Sequence, residues 1–199
     1  MPNWCSTQFT ISGDSKELNV LYQAFIDAQE KASIETSFGK TWLGHLLSFL
    51  GMSEEQIING PVRCRGDVSY LAMDGDTLMI DTETAWAPMV QPIVMMCEKY
   101  APNCDIKFVA MEPGCSIYES NDPDVAGKYL LEIWGGEEDI PENLVQACSD
   151  FQDKEKLKEI LEEALGYPKG ITSLIRDATA KWDNMFINLI EYVELSCLY

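Results

Sequence analysis

Pro2-Asn3-Trp4-Cys5-Ser6-Thr7-Gln8-Phe9-Thr10-Ile11-Ser12-Gly13-Asp14-Ser15 decides how the rest of the chain is read. Residues 7–12 alternate, with Phe9 and Ile11 on one face, which is the period of a half-buried strand. Gly13 ends the run, and Asp14 or Ser15 is a side chain suited to capping a helix. Leu18, Leu21, Phe25 and Ala28 then recur at three- and four-residue spacing, which predicts a helix over about 16–30 with one buried stripe. A strand thus begins at the first residues of the chain, and the reading expects no leader ahead of it.

Working outward, residues 66–86 read as a hairpin. Val68, Tyr70 and Ala72 alternate before Asp74-Gly75, a tight-turn pair. Leu78, Ile80, Thr82, Thr84 and Trp86 are expected on one face beyond it, with Asp81 and Glu83 on the other. Pro88 is placed at the start of a helix over about 88–101, with Val90, Ile93, Val94, Cys97 and Tyr100 inward. Ile106, Phe108 and Ala110 mark a strand at 105–111, interrupted by Glu112-Pro113-Gly114. Short strands are expected at about 115–119 and 128–134. Residues 32–62 read as a helical insertion: Trp42, Leu43, Leu46, Leu47 and Leu50 form one short helix ending at Gly51. Ser53-Glu54-Glu55-Gln56 has the capping-box pattern of another.

The order β-α-β-β-α-β is the split βαβ pattern, so the fold class is α+β: a ferredoxin-like antiparallel sheet with helices on one face. It is assigned to residues 1–135. Residues 136–199 read as a helical C-terminal part docked on that domain, with helices at about 141–151, 153–165, 170–180 and 182–196. The last takes its stripe from Trp182, Phe186, Leu189, Ile190 and Val193.

Three short motifs carry a resemblance: Pro2-Asn3-Trp4-Cys5, Thr84-Ala85-Trp86-Ala87-Pro88 and Glu112-Pro113-Gly114. In identity and spacing they resemble the YubB-like, or Api-type, family of proteins from phages, plasmids and bacterial genomes. The likeness covers about residues 1–135. It implies the ferredoxin-like fold and no catalytic residue, because the family has no activity to transfer.

Composition narrows function. The 199 residues carry a formal charge of −19, with hydrophobic content of 46%. Phosphate contacts need Lys and Arg, so direct nucleic-acid binding and an anionic membrane surface are disfavoured. No apolar run is long enough to span a membrane. Seven cysteines without a Cys-x-x-Cys pair point to free thiols in a reducing cytoplasm. No metal site is expected: His45 is the only histidine. Asp74 and Asp76, like Asp122 and Asp124, lack the calcium-loop continuation and fit turns instead. No cofactor is expected.

Trp4, Trp86 and Glu112 either keep the fold or form a surface holding a peptide or nucleotide, with fold-keeping the weightier reading. Glu112, beside a bend, can bond backbone amides or stay free for a ligand. Arg63 and Arg65 can hold a phosphate or carboxylate, although pairing with nearby acids is the plainer expectation. Cys5 and His45 are a thiol–imidazole pair in type only, without a third member, so no catalytic residue is assigned. Residues 101–150 hold 11 acids against Lys107 and Lys128, a net of −9. The leading reading is a non-enzymatic cytoplasmic protein-interaction module of mobile-element type with a protein partner; the acidity permits a partner of basic character or is simply a solvated surface, the latter being the weightier reading. The alternative is an acidic decoy that imitates a nucleic-acid backbone on a basic host protein; an enzyme comes third. Oligomeric state is left open.

Overall fold

The computed structural model describes residues 2–31, 34, 38–135, 140–182 and 186–195. The protein is α+β, with antiparallel and parallel strand pairs and seven α-helices among the described residues. Backbone contacts divide it into two compact units: residues up to Ile117 together with Leu195, and Tyr118–Glu194.

In the first unit, β1 (Trp4–Ser12), β2 (Gly66–Asp74), β3 (Thr77–Ala85) and β4 (Asp105–Glu112) lie in the order β2-β3-β1-β4, all antiparallel. Cys5, Thr7, Phe9 and Ile11 of β1 are buried, while Gln8 and Thr10 between them are exposed, as a two-residue period requires. Leu78, Ile80, Thr82 and Thr84 of β3 join the same buried side, and Asp81 and Glu83 face away. Helix α1 (Ser15–Glu30) starts at Asp14, whose carboxylate accepts from the Lys16 and Glu17 amides. Its buried residues are Leu18, Leu21, Ala24, Phe25 and Ala28. Helices α1, α2 (Leu43–Phe49) and α4 (Gln91–Tyr100) share one apolar core with the sheet. Helix α3 (Glu54–Asn59) carries the capping box that its sequence announces, with Ser53 and Gln56 bonded reciprocally. The insertion's residues 32, 33 and 35–37 lie outside the described residues.

Three expectations change here. Helix α4 begins at Gln91, with Pro92 in its first turn, and Pro88 lies in the connection before it. Tyr70 is exposed, not inward with Val68, because a register shift between Val68 and Tyr70 resets the alternation. Trp86 does not continue the buried face of β3; it is 46% exposed with φ +73°.

The second unit contains β5 (Ile117–Ser120), β6 (Tyr129–Trp134), α5 (Glu142–Ala147), α6 (Lys154–Leu165), α7 (Ile171–Lys181), β7 (Phe186–Glu191) and β8 (Val193–Glu194). β6 pairs antiparallel with β7, and β5 pairs parallel with β8. Leu131, Leu144, Leu157, Leu161, Leu174, Trp182 and Ile187 form its core. Of the helix expected over 182–196, residues 183–185 and 196 lie outside the described residues, and strands occupy 186–191 and 193–194. Phe-Ile-Asn-Leu-Ile-Glu is rich in residues that lose rotamer freedom in a helix, and β6 supplies a partner ladder. Only Ile187, Ile190 and Tyr192 of this stretch are fully buried, a two-to-three-residue spacing that a helical stripe mimics. For the same reason the C-terminal part is not wholly helical. The pairing of β6 with β7 groups 129–134 with it, so the division falls near 117 and not near 135.

Candidate functional site

The antiparallel order brings the start of β1, the start of β2 and the ends of β3 and β4 to one edge of the first unit's sheet. All three motif segments meet there, and Asn3 is their junction. The Asn3 carbonyl accepts a hydrogen bond from the Trp86 amide at 2.9 Å. Its side-chain amide reaches the Cys115 thiol at 3.8 Å. A Cβ on Gly114 would collide with that amide and come within 2.9 Å of Glu112 Oε1, so glycine is required there by close approach. The left-handed φ in this turn belongs to Ser116, at +55°.

Glu112 is buried and fully used. Its carboxylate accepts from the Gly114 amide at 3.0 Å and from the Cys115 amide. A hydrogen bond from the Cys115 thiol, followed by these two amides, holds its carboxyl below the ordinary range. The same contact pushes the Cys115 thiol up, so it is a poor nucleophile. Of its two sequence readings, Glu112 takes the amide-bonding one.

Trp86 sits in a conformation that bulky residues rarely adopt. Its own amide is fixed to Asn3, and Thr84 Oγ1 lies 2.8 Å from the Ala87 carbonyl and 3.3 Å from that of Cys5. Pro88 restricts Ala87 as well. The corner is over-determined, and the result is an indole held out from the sheet edge, the kind of backbone outlier that collects at binding sites.

That indole lines an open cavity of about 450 Å³. Arg63 and Arg65 line the same cavity, with Phe38, Trp42, Ile57, Ile58, Cys64, Ala85 and Met89. Trp42 and Phe38 stack with ring centroids 5.0 Å apart. Phe38 and Ile58 remain 58% and 64% exposed, which leaves the mouth apolar and wide. Two contacts set the floor: the Arg65 carbonyl accepts from the Ala85 amide at 2.9 Å, and the Arg65 amide meets Met89 Sδ. Arg63 and Arg65 are exposed on either side of buried Cys64. Among the described residues neither is in an ion pair, contrary to the expected pairing with nearby acids.

Trp4, half exposed beside Ala85, is at the same sheet edge without lining the cavity. The Cys5 thiol is buried against Thr7 Oγ1 at 3.9 Å. His45 is buried edge-on against Trp42, with Nδ1 unpartnered. Burial pushes its pKa down, against smaller opposing effects from the Gly39 backbone and Asp67. Asp122 accepts from the Asp124 amide at 3.0 Å, the work of a turn aspartate. Among the described residues no three His, Cys, Asp or Glu side chains converge as a metal site, and no helix is long and apolar enough to cross a membrane.

Sequence reasoning named Arg63, Arg65 and Trp86 separately and missed the apolar wall that unites them. One signal was available. Ile57-Ile58 on a helix of six residues cannot both face the core, and Ile58 is the one left out. A scan of family models and searches of curated proteins and solved structures return no match to this chain.

Proposed function

We propose that the first unit is a non-enzymatic protein-interaction module of a cytoplasmic protein, and that the cavity at its sheet edge receives the partner. The observation that carries this is the convergence of exposed Trp86, Ile58 and Phe38 with two exposed arginines on one open cavity. Exposed apolar side chains grouped around a concavity are what a docking surface presents. The strand order β2-β3-β1-β4, with α1 after β1 and α4 after β3, supports reading this unit as a ferredoxin-like split βαβ sheet. The meeting of the three motif segments at Asn3 supports the resemblance to the YubB-like, phage- and plasmid-related family. The fold reading by itself assigns no function.

The test is affinity capture from host lysate with the wild-type protein and Ile58→Glu as parallel baits. Ile58 is exposed, so the substitution leaves the fold intact and places a carboxylate in the apolar mouth. A partner retained by the wild type and lost from Ile58→Glu supports the reading. Equal retention by both, or no stoichiometric partner, overturns it. The acidic-decoy reading draws on the charge of −19. It predicts a basic partner held equally by both baits and released by salt.

A further inference from the structure

Resting on that reading, we infer that the cavity takes a short segment of a partner protein in which an aromatic side chain is flanked by carboxylates. Arg63 and Arg65 are exposed and both line the cavity, with buried Cys64 between them in the chain; the Gly66 amide donates to the Cys64 carbonyl at 3.0 Å, a tight turn centred on Arg65 just before β2. Two carboxylates can pair with two guanidiniums that no acid among the described residues occupies, arginine being suited to bidentate pairing with a carboxylate. The same cavity is lined by the apolar side chains of Trp86, Met89 and Ile57 and by the Phe38–Trp42 stack.

The shape favours a chain over a small molecule. Exposed Phe38 and Ile58 leave the cavity open, so a segment can enter and leave while one ring is buried. The charge of the whole protein disfavours a polyanion. Two arginines match two carboxylates, whereas nucleic acid brings a phosphate at every nucleotide to a surface of net charge −19. The partner is therefore acidic only locally.

The experiment is fluorescence anisotropy of the full chain with fluorescein-labelled peptides carrying Glu-Phe-Glu, Gln-Phe-Gln, Glu-Ala-Glu or Lys-Phe-Lys between glycines. Glu-Phe-Glu is expected to bind best, and replacing either its acids or its ring is expected to weaken binding about tenfold or more. Arg63→Gln/Arg65→Gln should bind Glu-Phe-Glu and Gln-Phe-Gln alike, and Arg63→Glu/Arg65→Glu should turn the preference to Lys-Phe-Lys. Circular dichroism matching the wild type is required of each variant, because an unfolded acidic chain would also attract a cationic peptide. Equal binding of Gln-Phe-Gln and Glu-Phe-Glu to the wild type overturns the acidic class while leaving the docking reading in place. Absence of binding by every peptide also overturns it. The Ile58→Glu capture then decides the docking reading independently: a partner lost from that bait keeps it, and a partner retained removes both.

Discussion

Gly66→Ala tests the geometry on which the site depends. Gly66 begins β2 opposite Thr84, and a Cβ there would lie 2.7 Å from Thr84 Cα and closer still to the Glu83 carbonyl oxygen. Both are backbone atoms of the central hairpin, so no side chain can swing aside. The start of β2 must retreat from β3, stretching the 2.9 Å bond between the Ala85 amide and the Arg65 carbonyl. Losing that bond costs about 1 kcal/mol. Overpacking a close contact costs about 1–3 kcal/mol. The stiffer unfolded chain returns about 0.4–1 kcal/mol. The net is a destabilisation of about 1–3.5 kcal/mol. Equilibrium urea unfolding followed by circular dichroism reads it as a midpoint about 1 M lower with the slope unchanged. Hydrogen exchange should locate the lost protection in β2 and β3. Gly39→Ala is the control: nothing lies within 4 Å of a Cβ there, and its stability should stay within about 0.5 kcal/mol of wild type. A Gly66→Ala protein as stable as that control would refute the close approach of β2 to β3, and with it the placement of Arg65.

His45 is buried and its pKa is lowered, so the unfolded chain takes up a proton before the folded one. Stability is therefore full above the unfolded value near 6.5 and falls on acidification through it, by at most about 1.4 kcal/mol per pH unit. Urea midpoints from pH 8 to pH 5 should show the decline, and His45→Phe should flatten that part of the curve. Glu112→Gln should lower the urea midpoint at pH 7, because an amide cannot accept all three hydrogen bonds. Its native carboxyl lies below the ordinary value, so this contribution is present above about pH 4.5 and is lost as pH falls through the native value. The gap between wild type and variant should close there. In the second unit, Leu161→Ala empties a fully buried position on α6 and should cost about 2–5 kcal/mol, read as a lower thermal or urea midpoint.

Most of the first unit was legible because local signals and tertiary demands agree there. Phe9 and Ile11, Leu18 to Ala28, Asp74-Gly75 and the Ser53–Gln56 box each specify one element, and each element buries the face its period selects. The failures have distinct causes. At 186–194 the apolar positions fit a helical stripe nearly as well as a strand, and the deciding fact, the ladder with β6, is non-local. At Tyr70 a register shift broke an alternation that the sequence continues. Trp86 was expected inward by counting twos from Leu78. Its left-handed φ goes with a hydrogen bond from its amide to the Asn3 carbonyl, more than eighty residues earlier in the chain. Arg63, Arg65 and Trp86 could be singled out by type, but only the meeting of β2 with β3 puts them around one cavity.

Charge separates the two functional readings more sharply than composition suggests. A decoy works through the long-range field of its −19 surface, so its binding should weaken at every step of added salt. The arginine site works against that field. At about 0.01 M salt the screening length is about 30 Å, and an approaching acidic segment feels the surrounding carboxylates as well as Arg63 and Arg65. At about 0.1 M it is about 10 Å, and the distant repulsion fades before the contact pairs do, because partly shielded pairs in contact are screened less. Affinity for the Glu-Phe-Glu peptide should therefore hold or rise from 0.01 M to 0.1 M salt, to within a factor of about three, and decline only beyond. A monotonic loss across that range would mean that the binding energy comes from the field of the whole molecule and not from the two guanidiniums beside Trp86.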